Sequence, residues 1–213
     1  MWNGLTNGST GAHDYRIIRP CFRAAHHQVS VYRPLPGVMG PAILTALLRD
    51  AMTQEEWLTQ YIASAFNVVQ LDGGVDIYAA ESMDDYGNAT EDQLSLTAER
   101  IDWRRVSPDI LFPRHCGVTF LDAKGFRFYT PAIMTAIITC GDEHGLLLDT
   151  FMFNLKVTIH GKIKDFDFAE LFTKYQRAAI IRFLKYLVHH GGAWHDDCDA
   201  KRRLDEIQNR TLR

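Results

Sequence analysis

The sequence predicts a mainly α-helical protein with a single compact helical domain, and three observations support that fold class. Apolar residues recur at helical spacing in several separate stretches. Residue types that cap helix N-termini stand before those stretches, and Gly or Pro follows them. With 213 residues, of which 46% are hydrophobic and 23% charged, the chain is long enough to bury one core.

Residues 1–51 differ in composition from the rest of the chain. They contain four of the seven prolines and five of the fifteen glycines, which interrupt regular elements. They carry a charge of +3, so residues 52–213 carry −6. We expect 1–51 to be an irregular N-terminal extension and 52–213 to be the helical domain, with Met52 as the original translation start. Asp14 and the prolines argue against the alternative, an arginine-rich transit peptide.

Three helices are predicted in the first part of the domain. The first begins behind Thr53, which forms a capping box with the glutamate three residues later and precedes an amphipathic run. The second covers about 75–83, and the third covers about 90–100 with an acidic first turn. The loop between them contains Gly87 and Asn88, residue types that suit a left-handed helix cap.

The second part contains the most regular stretches. Residues 121–140 begin with Asp122 as an N-cap, and Pro131 is expected to break and restart this helix because proline has no N–H to donate. Residues 146–159 allow either a short strand pair or a helix. Thr173 opens a second capping box ahead of a wide apolar stripe. The charged C-terminal stretch predicts a last helix with a weak apolar edge, lying on the surface.

Composition excludes several classes of function. The net charge of −3 gives no electrostatic footprint for nucleic acid, and no uncharged apolar run is long enough to span a bilayer. The N-terminus has no apolar core followed by a small-residue cleavage site, so we expect no secretory signal. No Cys-x-x-Cys pair is present, so reduced thiols are expected. We expect a cytoplasmic protein without a cofactor; its cysteines are Cys21, Cys116, Cys140 and Cys198.

The densest group of metal-ligand residue types lies near the C-terminus. Adjacent histidines on a helix point about 100° apart, and rarely share one ion. The helix dipole and helix capping account for most of the group, so we predict no metal site. We assign no catalytic residue either, because the chain lacks a nucleophile elbow, a P-loop and a dinucleotide fingerprint. The group comprises His189, His190, His195, Asp196, Asp197, Cys198 and Asp199.

The stretch from Asp72 to Asp102 is strongly acidic. It contains nine acidic residues and one basic residue, Arg100, for a net charge of −8. Such a stretch is either a solvated face that favours solubility or a docking surface for a basic protein partner. On the docking interpretation, the partner-binding residues are Asp84, Asp85, Glu91 and Asp92.

The Phe126-Arg127-Phe128-Tyr129 block places a cation among aromatic residues. One interpretation is a functional site in which Arg127 and Tyr129 stack on a base or a phosphate-bearing ligand. The other is an aromatic core with Arg127 paired to an acid such as Asp84 or Asp85.

Several of these motifs together resemble a known family. They are the Asp84-Asp85-Tyr86-Gly87 loop, the Gly-Phe-Arg-Phe-Tyr-x-Pro-Ala block that begins at Gly125, and the helix opened by Thr173. Over about 52–190 the chain is similar to small uncharacterised bacterial proteins classed as a domain of unknown function, whose members generally start near this Met52. The resemblance implies no catalytic residue, because the family has no established activity.

Three hypotheses of function remain at this point. The first is a protein-binding module of the immunity or toxin-neutralising type, which fits an acidic face without catalytic machinery. The second is a metal-dependent or hydrolytic enzyme that uses Asp84, Asp85 and Arg127, together with His189 or His195. The third is a structural domain without catalysis. The sequence leaves the oligomeric state open.

Overall fold

The structure is a computed structural model that describes residues 52–142, 145–156, 158–159, 166–190 and 197–211. The predicted mainly α-helical class is confirmed, whereas the predicted extension 1–51 lies outside the described residues. The helices are α1 Gln54–Ala65, α2 Ile77–Asp84, α3 Ala89–Ser95, α4 Pro108–Leu111, α5 Ala123–Cys140, α6 Leu146–Asn154, α7 Phe168–Leu171, α8 Lys174–His190 and α9 Asp197–Thr211. Two 3-10 turns lie at Trp103–Arg105 and Cys116–Phe120.

Of the two alternatives for 146–159, the helical one holds for Leu146–Asn154. Its buried apolar residues follow one face of a helix rather than the alternation of a strand. They are Leu147, Leu148, Phe151 and Met152. Two-residue strands follow, β1 Thr158–Ile159 and β2 Phe166–Asp167, and they pair antiparallel.

Both predicted capping boxes are present. The Thr53 hydroxyl accepts the Glu56 N–H at 3.1 Å, and a Glu56 carboxylate oxygen accepts the Thr53 N–H at 3.0 Å. The Thr173 and Gln176 pair forms the same two bonds at the start of α8. Local chemistry therefore fixes where α1 and α8 begin.

Helix α5 runs without interruption from Ala123 to Cys140, so the predicted break at Pro131 is wrong. The Thr130 hydroxyl donates to the Phe126 carbonyl oxygen at 2.7 Å, which supplies a side-chain donor in the turn that the proline weakens. Dense packing also holds the helix together, because twelve of its residues are buried. The helix ends at Gly141, which has a φ of 71°.

The core is built around aromatic residues of α5, α6 and α8. Phe126 stacks on Phe151 with ring centroids 5.8 Å apart, and Phe151 meets Phe183 edge-on at 6.1 Å. Helix α1 packs against α5 and α8. Helix α9 is more firmly seated than its sequence predicts, because Ala200 and Ile207 are buried.

Helix α3 is shorter than the predicted 90–100, and it starts one residue earlier. Asn88 is its N-cap, since the Asn88 side-chain oxygen accepts the N–H groups of Thr90 and Glu91. The helix ends at Ser95, whose hydroxyl donates to the carboxylate of Asp76, the residue that precedes α2. Tertiary contacts that the local sequence does not reveal therefore set its C-terminal limit.

Candidate functional site

Arginines neutralise five of the nine acidic residues between Asp72 and Asp102. Four of these arginines lie outside the acidic stretch: Arg104 and Arg105 follow it directly in the sequence, whereas the fold brings Arg114 and Arg127 to it. The ion pairs are Asp72 with Arg127 at 3.4 Å, Asp76 with Arg100 at 2.6 Å, Glu91 with Arg114 at 2.7 Å, Glu99 with Arg105 at 3.8 Å, and Asp102 with Arg104 at 3.1 Å.

The other four acids, Glu81, Asp84, Asp85 and Asp92, have no cationic side chain within 4.0 Å among the described residues. Three of the four residues predicted to bind a partner therefore keep an unpaired charge. The fourth, Glu91, is engaged inside the fold. The negative charge of the stretch is concentrated at the end of α2 and on α3.

Glu91 and Arg114 form a two-pronged ion pair. The guanidinium donates from Nε at 2.7 Å and from NH2 at 2.9 Å to the two carboxylate oxygens. Only 12% of the Glu91 side chain and 17% of the Arg114 side chain are exposed. The guanidinium also lies over the Tyr78 ring of α2, 4.6 Å from its centroid. This pair fastens α3 to the rest of the domain.

A second polar contact fastens the other end of α3. Asp76, which is 2% exposed, caps α2 by accepting the Tyr78 and Ala79 N–H groups. Its second oxygen accepts the Ser95 hydroxyl at 2.7 Å and the Arg100 guanidinium at 2.6 Å. One buried carboxylate therefore links the start of α2 to the end of α3.

None of the seven residues of α3 is buried. Apolar side chains in and around it face solvent instead: Met83 is 45% exposed, Tyr86 101%, Leu94 37% and Leu96 76%. We call seven of the exposed and half-buried residues between positions 83 and 96, three carboxylates and four apolar or aromatic side chains, the α2–α3 surface. Its members are Met83, Asp84, Asp85, Tyr86, Asp92, Leu94 and Leu96.

The sequence interpretation missed the apolar members of this surface. A signal was present, because the Asp-Asp-Tyr-Gly motif places Tyr86 between two carboxylates and a glycine. The left-handed position of the loop was expected at Gly87 or Asn88. The structure places Tyr86 in that conformation, with a φ of 59°, and Gly87 follows with a φ of 106°.

The unpaired carboxylates change the acidity of their neighbours. Burial, together with the charges of Asp84, Asp85 and Glu91, raises the pKa of Glu81, although its bond from the Gly117 N–H opposes the shift. Partial desolvation, with the charges of Asp84, Glu81 and Asp85, also raises the pKa of the Cys116 thiol. The negative potential at the end of α2 therefore extends to the turn that packs against it.

Arg127 and Tyr129 lie elsewhere. Arg127 pairs with an acid, as expected, but that acid is Asp72 and not Asp84 or Asp85. The two predicted partners are at the C-terminus of α2, whereas Asp72 precedes that helix. Tyr129 is 1% exposed, and its hydroxyl accepts the Ile77 N–H at 3.1 Å. Burial raises the pKa of that hydroxyl well above its usual range.

The residues of the enzymatic hypothesis are not brought to one site. The contacts of Tyr129 and Arg127 are at or before the first residue of α2, and Asp84 and Asp85 are at its end, about 10 Å away along the helix axis. Within the described residues, no group of three or more His, Cys, Asp or Glu side chains is arranged to hold a metal ion. His195 and Asp196 lie outside the described residues.

Comparisons with known proteins identify a family but no activity. A family model described as "Family of unknown function (DUF6714)" matches residues 53–203. No curated protein and no solved structure matches the chain. Across the described residues, no helix has the length and apolar character needed to cross a membrane.

Proposed function

We propose that the chain, which belongs to this family of unknown function, is a protein-binding module that acts through the α2–α3 surface on a basic protein partner. One observation carries the proposal: α3 buries none of its residues, yet the Glu91–Arg114 ion pair and the Ser95–Asp76 hydrogen bond hold it in place. A helix that adds nothing to the core but is fixed this firmly is suited to presenting its side chains to another molecule.

The chemistry of the surface indicates the kind of partner. Asp84, Asp85 and Asp92 have no cationic neighbour among the described residues, so the fold leaves their charge available. Complementary charge on a partner raises the association rate and selects against acidic proteins. Exposed Tyr and Met side chains beside the charges add the residue types that are enriched at protein interfaces.

An immunity-type protein of a bacterial cytoplasm is the specific form of this proposal. Such a protein blocks a basic toxin by covering it, and needs no catalytic group of its own. The motifs resemble those of small bacterial proteins, and for this reason we place the proposed role in a bacterial cell.

Co-purification of the full chain from its own host tests the proposal. The test variant combines Asp84→Asn, Asp85→Asn and Asp92→Asn. A matched control removes three negative charges at exposed positions elsewhere, with Asp149→Asn on α6, Glu170→Gln on α7 and Asp205→Asn on α9. We expect a basic protein to be retained by the wild type and the control, to be lost from the test variant, and to dissociate as salt concentration rises.

Growth assays then test the immunity role. Co-expression of the wild type should relieve the toxicity of the retained protein, and the triple variant should not. Equal retention by the triple variant, or retention of an acidic protein only, would contradict the docking surface. A retained basic protein that is not toxic would contradict the immunity role alone.

A further inference from the structure

We propose that Tyr86 is the anchor of the α2–α3 surface, and that the partner receives its ring in an apolar pocket with a lysine or arginine rim. The inference rests on the proposed function and adds two points to it. It names the residue that supplies most of the affinity, and it describes the pocket on the partner that receives this residue.

The C-terminus of α2 is a Schellman motif. With Asp85 as the C-cap, the Gly87 N–H donates to the Ser82 carbonyl at 2.8 Å, and the Tyr86 N–H donates to the Met83 carbonyl at 3.4 Å. This pattern requires a left-handed residue directly after the C-cap, and glycine usually occupies that position. Here the residue is Tyr86, with a φ of 59°, and the glycine comes one position later.

Folding does not account for a tyrosine at this position. A residue with a Cβ in the left-handed region costs roughly 1–2 kcal/mol relative to the right-handed region, a cost that glycine avoids. A side chain can offset such a cost by packing, but Tyr86 is 101% exposed. Its ring therefore gives the domain no burial in return for the backbone conformation.

The loop nevertheless fixes the backbone that carries the ring. The Asn88 N–H donates to the Ser82 hydroxyl at 2.9 Å, and the Asn88 side chain donates to Asp85 at 2.9 Å. The backbone on both sides of Tyr86 is therefore fixed before any partner arrives. Binding would restrict only the two side-chain torsions of the tyrosine, which keeps the entropy cost of association low.

The residues around the ring define the complementary surface. Met83, which is 45% exposed, offers apolar contact one turn earlier. Asp84 and Asp85 precede the ring directly, and neither has a cationic neighbour among the described residues. An exposed tyrosine next to two carboxylates matches the usual composition of an interface hot spot, which is a central aromatic residue with a polar rim. Charge complementarity then requires a basic rim around an apolar pocket.

Photocrosslinking locates the anchor in the intact protein. The full chain carries p-benzoylphenylalanine at position 86 in its own host. A control chain carries it at Val68, which is 80% exposed in the turn after α1. We expect a crosslink to the basic partner from position 86 but not from 68, with the attached peptide lining an apolar pocket flanked by lysine or arginine.

Binding measurements with the crosslinked partner show how much Tyr86 contributes to the affinity. Tyr86→Ala should weaken binding about 30-fold or more, the range of an interface hot spot, and Tyr86→Phe should keep most of the affinity. A loss under threefold for Tyr86→Ala would overturn the anchor. So would a crosslink to a second copy of this chain or to an acidic peptide.

The two proposals fail in distinguishable ways. If the triple charge variant loses the basic partner while Tyr86→Ala keeps it, the acidic docking surface stands and the anchor is wrong. If the wild type retains no basic partner and position 86 gives no crosslink, both are wrong. Circular dichroism of each variant checks that the helices remain folded.

Discussion

Helices α5 and α3 are held in the same domain by different means. Helix α5 buries twelve of its eighteen residues, among them the Phe126 and Phe128 rings. Helix α3 buries none of its seven and depends on the Glu91–Arg114 and Ser95–Asp76 contacts. Apolar burial stabilises α5, whereas polar contacts through Glu91 and Ser95 fix α3 and leave its other side chains exposed. The contrast separates the part that folds the protein from the part that we propose binds.

The largest effect on stability should come from the core. Phe126→Ala removes a ring that contacts both Phe151 and Phe172, and should lower the free energy of unfolding by about 3–5 kcal/mol. Leu94→Ala on α3 should change it by less than about 0.5 kcal/mol. Urea denaturation measures both. Equal losses from the two variants would show that α3 belongs to the core.

The next largest effect should come from Asp76, which joins the two regions. Asp76→Ala removes the cap of α2 and the acceptor for Ser95 and Arg100, so we expect a loss of about 2–4 kcal/mol. Asp76→Asn is the matched control, since it keeps a capping oxygen but lacks the charge, and should lose about half as much. Hydrogen exchange should show faster exchange in α3 for both. Unchanged exchange there would mean that Asp76 does not hold α3.

The Glu91–Arg114 pair should contribute less than Asp76. A double-mutant cycle with Glu91→Gln and Arg114→Met should give a coupling energy of about 1–3 kcal/mol, because both side chains are mostly buried and form two bonds. The exposed pair Arg202 with Asp199 serves as the control cycle, with under about 1 kcal/mol expected. A coupling near zero at Glu91 would remove one of the two contacts that hold α3.

The smallest effect concerns pH. Burial raises the pKa of Glu81 above the ordinary 4.5, so the native state holds its proton more tightly than the unfolded state does. Stability contributed by this group is therefore lost as pH rises from about 4.5 through the folded pKa. Glu81→Gln keeps an acceptor for the Gly117 N–H and should melt higher than the wild type at pH 7, with the difference vanishing below pH 4.5.

Melting curves of the wild type and Glu81→Gln, recorded from below pH 4.5 to pH 7, test this prediction. Asp84→Asn with Asp85→Asn should reduce the difference, because both charges contribute to the raised pKa. A Glu81→Gln variant that melts lower than the wild type at pH 7 would contradict the prediction that the charged Glu81 side chain destabilises the fold.

Sequence reasoning located what depends on local chemistry. Thr53 and Thr173 act through residues three positions away, so both helix starts could be predicted. The Asp76–Ser95 and Glu91–Arg114 contacts join residues 19 and 23 positions apart, and no periodic pattern reveals them. The same limit explains the wrong partner for Arg127, which depends on the turn at Asp72.

The candidate site was predicted in outline only. Asp84, Asp85 and Asp92 could be named from charge density, but charge density alone cannot separate them from Glu91, which the fold neutralises. Tyr86 was hidden for another reason. An exposed left-handed tyrosine runs against both its backbone preference and its apolar character, so ordinary rules place it elsewhere.

Replacing Tyr86 with glycine tests whether this residue serves binding rather than folding, because stability and affinity should then move in opposite directions. Glycine suits the left-handed position, so the free energy of unfolding of Tyr86→Gly should rise by about 1 kcal/mol. Affinity for the crosslinked partner should fall about 30-fold or more. Parallel loss of stability and affinity would show that Tyr86 serves the fold, and unchanged affinity would show that the α2–α3 surface does not depend on it.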